Sequence, residues 1–255
     1  MDERRPEAKF EYLLRFGDSA LILSQRLSAW CGRGPALEED MALANTALDL
    51  LGHARMWLQY AAEVEGKGRD EDQLAFLRDS RGFHNLLLVE QDNGNYADTL
   101  VRQFYFDAWH RPALVELGRS SDATIAAIAE KALKEVDYHL HRSHDLIVRL
   151  GDGTAYSHRL VQTAAERVWI FTGELFTGDA VDREMAEAGI GFDPAMLREP
   201  WQARVTATFR EATLALPPAD AFMRSGGHTG LHGEGLGHLL AEMQVLPRSH
   251  PGARW

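Results

Sequence analysis

The segment from Leu43 to Ala61 carries apolar residues at Leu43, Ala47, Leu50, Ala54, Trp57 and Ala61. Their three-four spacing holds over about five turns, the period of an α-helix that buries one stripe. No run of alternating residues joined by hairpin turns occurs anywhere in the chain. The fold class this predicts is all-α.

Breakers divide the chain into long helices. A first runs from about Phe10 to Cys31 and stops at Gly32-Arg33-Gly34-Pro35. A second runs from about Leu37 to Gly66, with Glu38, Glu39 and Asp40 in its first turn, where the helix dipole favours anions. The polar segment from Gly66 to Gln73 leads through a short helix to the turn signal Asp92-Asn93-Gly94. Further helices span about Tyr96 to Arg119, about Ala123 to Leu150 and about Tyr156 to Phe176. Asp193-Pro194 and Pro217-Pro218 then break the chain into shorter helices, one rich in Trp201, Val205 and Phe209. The stretch from Ser225 to Gly237 is dense in glycine, and Leu239 to Leu246 closes as a short helix. Four helices longer than about 20 residues, with a long connection between the second and third, match a ferritin-like bundle. The chain therefore reads as one ferritin-like domain over residues 1–255. Its core bundle covers about 10–176, and residues 177–255 supply extra helices and a glycine-rich tail packed on it.

Composition narrows the function classes. The 255 residues are 45% hydrophobic and 25% charged, as in ordinary soluble globular proteins. The one cysteine, Cys31, cannot form an internal disulfide; it fits a reducing compartment and reads as a small packing residue at a helix tail. No apolar run approaches the roughly 20 residues that span a bilayer, and the N-terminus MDERRPEAKFEY is charged where a signal peptide needs its apolar stretch. These features place the protein in the cytoplasm. A formal net charge of −11 repels phosphate backbones and anionic lipid, which argues against nucleic-acid and membrane-surface partners.

Several constellations resemble metal ligands. In KEVDYHLHRSH, Lys134 to His144, Glu135 and His139 lie one helical turn apart. Di-iron carboxylate bundles present Glu-x-x-His, but the third residue after Glu135 is Tyr138 and the histidine comes one place late. At about 100° per residue, His139 falls about 50° and Glu135 about 90° from the centre of their helix's apolar face. That places the pair at the core edge, where a buried Glu–His hydrogen bond is the simpler reading. On the second helix, Asp49 falls roughly 160° and His53 about 120° from the apolar centre, and so both face outward as a polar or inter-subunit face. Asp107-Ala-Trp-His110 has Asp-x-x-His spacing. Both members lie roughly 100° or more from the stripe Ala97, Val101, Phe104 and Ala108, and read as surface residues. His228, His232, Glu234 and His238 in GGHTGLHGEGLGH look like a zinc cluster, but their glycines suggest a tight extended path packed against the domain. Nucleophile-elbow, phosphate-loop and paired Cys-x-x-Cys motifs are absent. No catalytic, cofactor-binding or metal-ligating residue is assigned.

Four stretches carry a resemblance: LRFGDSALILSQRLSAWCG, ALANTALDLLGHAR, NLLLVEQDNGNYADTLVRQFYFDAWH and GLHGEGLGHLLAEMQ. They closely resemble the C subunits of the ring 1,2-phenylacetyl-CoA epoxidases, bacterial multicomponent monooxygenases of phenylacetate breakdown. The similarity runs from about Tyr12 to Trp255 and leaves out the first ten residues. It implies a ferritin-like fold and a division of labour. A related A subunit would carry the di-iron centre and convert phenylacetyl-CoA to its ring 1,2-epoxide, using O₂ and electrons from a reductase. The C subunit would lack the ligand set and act as its structural partner. The resemblance thus implies no cofactor in this chain, partnership with the A subunit, other epoxidase subunits and a reductase, and a homodimer through the same face when the chain is alone. Two other readings stand beside it: a di-iron oxygenase or iron-handling bundle in its own right, and a helical domain with an unrelated partner. A bundle that has lost its metal must neutralise its inward acids. Arg55 or His139, hydrogen-bonded to Asp18 or Glu135, is the expected substitute where iron would sit.

Overall fold

The structure, a computed structural model, describes residues 4–218 and 220–253. Residues 1–3 of the N-terminal stretch and the terminal Trp255 therefore lie outside the described residues. Those described form nine α-helices and no strand, the all-α architecture of a ferritin-like protein: α1 (Arg4–Ser28), α2 (Leu37–Glu65), α3 (Glu71–Phe76), α4 (Tyr96–Leu117), α5 (Ala123–Gly151), α6 (Ala155–Trp169), α7 (Ala180–Glu187), α8 (Arg198–Glu211) and α9 (Glu234–Ser249). None is long and apolar enough to cross a membrane. The chain divides into two compact units, residues 1–90 with 226–255, and residues 91–225.

In the first unit α1 and α2 pack along their length. Gly17 makes this close approach possible, since a Cβ there would stand 2.8 Å from Leu58 Cδ2 and 3.3 Å from Trp57 Cβ. Phe16 lies on Trp57 at 5.5 Å between ring centroids, and Ser24 Oγ donates to the Ala47 carbonyl at 2.8 Å. The turn between the helices contains Gly32 at φ +77°, which accounts for the breaker in the sequence. Cys31 stands in that turn and is exposed, contrary to the packing role expected of it, because α1 has already ended at Ser28. Beyond α2, Gly66 at φ +67° returns its N–H to the Ala62 carbonyl, and the chain crosses through α3 to residues 83–90.

The C-terminal segment belongs to this same unit. Its helix starts at Glu234, earlier than the sequence suggests, because Leu236, Leu240 and Gln244 bury one stripe that carries Gly235 and Gly237 into helical form. Gln244 Nε2 donates to the carbonyls of Ala75 at 3.1 Å and Arg78 at 3.0 Å. Gly230, at φ +74°, passes so close to the Arg81 carbonyl that a Cβ would stand 2.4 Å from it.

The second unit is built on α4 and α5. Asn95 and Asp98 cap α4 reciprocally, and Asp122 caps α5. Trp109 Nε1 donates to the Leu175 carbonyl and Trp201 Nε1 to the Tyr105 carbonyl, each at 3.0 Å. Tyr105 lies among Trp169, Trp201 and Phe209 at 5.6 to 6.0 Å between centroids; burial there pushes its phenol well above its ordinary value. α6 stops at Trp169 and not at Phe176. The chain turns and makes a 3₁₀ turn at Gly173–Phe176, where Met223 fills the space that a Cβ on Gly173 would take.

Candidate functional site

α4 supplies the most unusual chemistry. From Ala97 to His110 every residue is buried, so this stretch of the helix has no solvent face, and its polar side chains must find partners inside the protein. Asp107 is wholly buried. Gln103 Nε2 donates to its Oδ1 at 2.7 Å, and Ser143 Oγ on α5 donates to its Oδ2 at 2.9 Å. Burial raises the Asp107 carboxyl to about 6, against the opposing pull of the His139 charge, the two hydrogen bonds and Arg142. His139 is buried beside this acid, and Glu135, one turn earlier, is half-buried.

This overturns one expectation from the sequence. Asp107 and His110 are core residues, not surface ones; His110 rests on Phe106 at 4.8 Å between ring centroids. Angular distance from an apolar stripe places a residue in solvent only when the helix has a solvent side. The signal was present in FYFDAW, where aromatic residues stand all around the helix.

A second correction concerns α2. Asp49 is half-buried as an edge residue, but His53 is fully buried, because Thr46 and His53 line up beside Leu50 and Trp57 and extend the covered arc past the stripe read from the sequence. A third concerns Arg55. Its side chain is 73% exposed and meets Glu71 at 3.2 Å, so it does not reach an interior acid. Asp18 is the buried acid with an arginine, and that arginine is Arg78. Arg78 Nη1 donates to Asp18 Oδ2 at 2.9 Å, Nη2 bonds Oδ1, and the His84 N–H adds a third donor at 2.9 Å. Arg55 falls on the open side of α2 because its position is set by that helix alone, whereas Arg78 arrives from the crossover after α3.

The tail histidines do not gather. His232 is the buried one. Its Nδ1 lies 2.7 Å from Glu90 Oε2 and its Nε2 2.8 Å from the Phe83 carbonyl. Glu90 also accepts from Asn85 Nδ2 at 3.0 Å and the Gly233 N–H at 2.6 Å, while Arg26 holds its carbonyl. Both ring nitrogens of His232 face acceptors, which clasps the imidazole between the Glu90 carboxylate and the Phe83 carbonyl. His228 is half-buried and contributes its carbonyl to His84, and Glu234 and His238 are exposed. Among the described residues, no three His, Cys, Asp or Glu side chains gather as ligands of one metal would. The surroundings of Asp107 do not fit a di-iron centre, which needs several carboxylates converging on one point, whereas the side chains that bond Asp107 are the neutral Gln103 and Ser143.

Comparison with known proteins gives the chain its relatives. The family model described as phenylacetic acid catabolic protein matches residues 1–255, including the first ten. The C subunit of the 1,2-phenylacetyl-CoA epoxidase of Escherichia coli (strain K12) is 54% identical over 244 residues, which cover 96% of this chain and 98% of that protein.

Proposed function

The chain belongs to the phenylacetic acid catabolic protein family, and from that premise we propose that it is the structural subunit of a 1,2-phenylacetyl-CoA epoxidase. In this reading it performs no chemistry itself. It binds and steadies a related oxygenase subunit, which holds the di-iron centre and epoxidises phenylacetyl-CoA in the cytoplasm. The observation that carries the reading is the state of Asp107. A di-iron centre at this helix pair would need further carboxylates converging with Asp107, and the side chains that meet its two oxygens are instead the neutral donors Gln103 and Ser143. That capping supports a bundle kept for its shape.

Two measurements test this. Protein made in iron-replete medium is expected to hold well under one iron per chain by elemental analysis. Co-expression with the oxygenase subunit is expected to give one species on size exclusion. Two firmly held irons per chain with a bridged-oxo absorption would make this chain the oxygenase. Separate elution of two folded proteins at micromolar concentration would remove the structural role.

A further inference from the structure

α2 carries large apolar residues on a side that no described residue covers. Leu37 is 72% exposed, Met41 58%, Leu48 65% and Leu51 41%. They follow a three-four spacing along more than half of the helix, and each removes apolar surface from water only if another surface meets it. Gly52 stands next to the last of them, midway along the 29-residue helix. A glycine inside a helix costs stability relative to alanine, and elsewhere in these helices the cost has a reason. Gly17 admits Leu58, and Gly151 admits the Ala212 backbone. Around Gly52 a Cβ would meet nothing within 4 Å. Gly237 is equally open, but it lies in the first turns of α9, where helix bonding is incomplete.

We propose that this face of α2 receives an α-helix of a different chain, apolar along one stripe and bordered by lysine or arginine, and that Gly52 is where the two backbones come closest. The inference rests on the structural-subunit reading and adds the surface and its partner's chemistry. A helix is the fitting occupant because the exposed apolar residues run about four turns along one side of α2, and Gly52, just beyond the last of them, lacks the side chain that would hold two helix axes apart. Charge selects which helix. α2 carries Glu38, Glu39, Asp40, Asp49, Glu63 and Glu65 against Arg55 alone among lysines and arginines. Two copies of it laid together would bring acid to acid on chains that each carry −11. A basic border meets Glu38, Asp49 and Glu63, which flank the stripe on one side, and leaves the apolar stripe dry.

The test uses the full-length chain and the oxygenase subunit made with it. Leu48→Asp, Gly52→Leu and Gly52→Ala are titrated against that subunit by calorimetry, and each free variant is melted. Leu48→Asp and Gly52→Leu are expected to weaken binding about tenfold or more with little change in Tm, as for charge or bulk placed at the centre of an interface. Gly52→Ala is expected to move the two readouts in opposite directions, raising the Tm of the free chain by about 2 °C while loosening the complex. Wild-type affinity in Leu48→Asp and Gly52→Leu would overturn the docking face while leaving the structural role intact. Loss in Leu48→Asp without loss in Gly52→Leu would overturn the part assigned to Gly52. A wild-type chain that self-associates and becomes monomeric as Leu48→Asp would make the occupant a second copy and overturn the proposal. No binding by wild type would end the structural role and this inference together.

Discussion

At the scale of single residues, two buried acids are neutralised in different ways. Asp18 is matched by a full positive charge, the Arg78 guanidinium, and Asp107 by two neutral donors with His139 nearby. The second leaves the carboxyl raised, to about 6. Asp107 keeps its proton in the folded protein up to about pH 6, while the unfolded chain releases it near the usual carboxylate value of 3.8. Between these values the folded state binds more protons, so this group's contribution to stability falls as pH rises and levels off above about 6. Asp107→Asn removes the slope without removing the bonds, since Ser143 Oγ can turn its proton to the Leu140 carbonyl and accept from the new amide. Urea unfolding from pH 4.5 to 8 should show the variant gaining on wild type by about 2 kcal/mol. Parallel curves would mean that the raised carboxyl is wrong. Asp18 gives a sharper contrast. Arg78→Ala strands a buried carboxylate and should cost about 3 kcal/mol or more, whereas Arg55→Ala breaks an exposed pair and should change stability by less than about 1 kcal/mol. The sequence offered Arg55 for this role because helical angles rank residues within one helix, and the arginine that reaches Asp18 comes from a loop whose path no periodicity encodes.

At the scale of elements, the long helices were legible because burial of one stripe writes a period into the sequence, and α1, α2, α4 and α5 all begin or end near the residues that punctuation marks. What periodicity could not supply was width. α4 is covered all around and α2 over a broad arc, so Asp107, His110 and His53 became core residues although they lie off the stripe. The tail was the least legible element, because its order comes from polar contacts distant in sequence. His232 bonds partners 142 and 149 residues away. Removing its side chain leaves Glu90 buried with neutral donors only at its carboxylate, a loss of about 3 kcal/mol by the usual measure for a broken buried pair. In hydrogen exchange, His232→Ala should strip protection from residues 226–249 and from 83–90 while α4 and α5 exchange as before. Uniform loss across both units would show that the clasp is not a local one.

At the scale of the whole molecule, the first unit is assembled from both ends of the chain and the second from one uninterrupted stretch. A chain ended at residue 225 should therefore retain the protection of α4 and α5 and lose it in α3 and in residues 83–90, which need Gln244, Arg248, His232 and Gly233 as partners. A truncated chain with full protection in α3 would show that the first unit closes without its tail. The same arrangement sets an order in time. During synthesis His232 leaves the ribosome 142 residues after Glu90, roughly 7–30 s later at about 5–20 residues per second. For that interval the second unit is being made while the first waits half-built, its α3 carbonyls and the Glu90 carboxylate still open to water. A nascent chain stalled anywhere in that window is the form of this protein that a chaperone has most reason to hold.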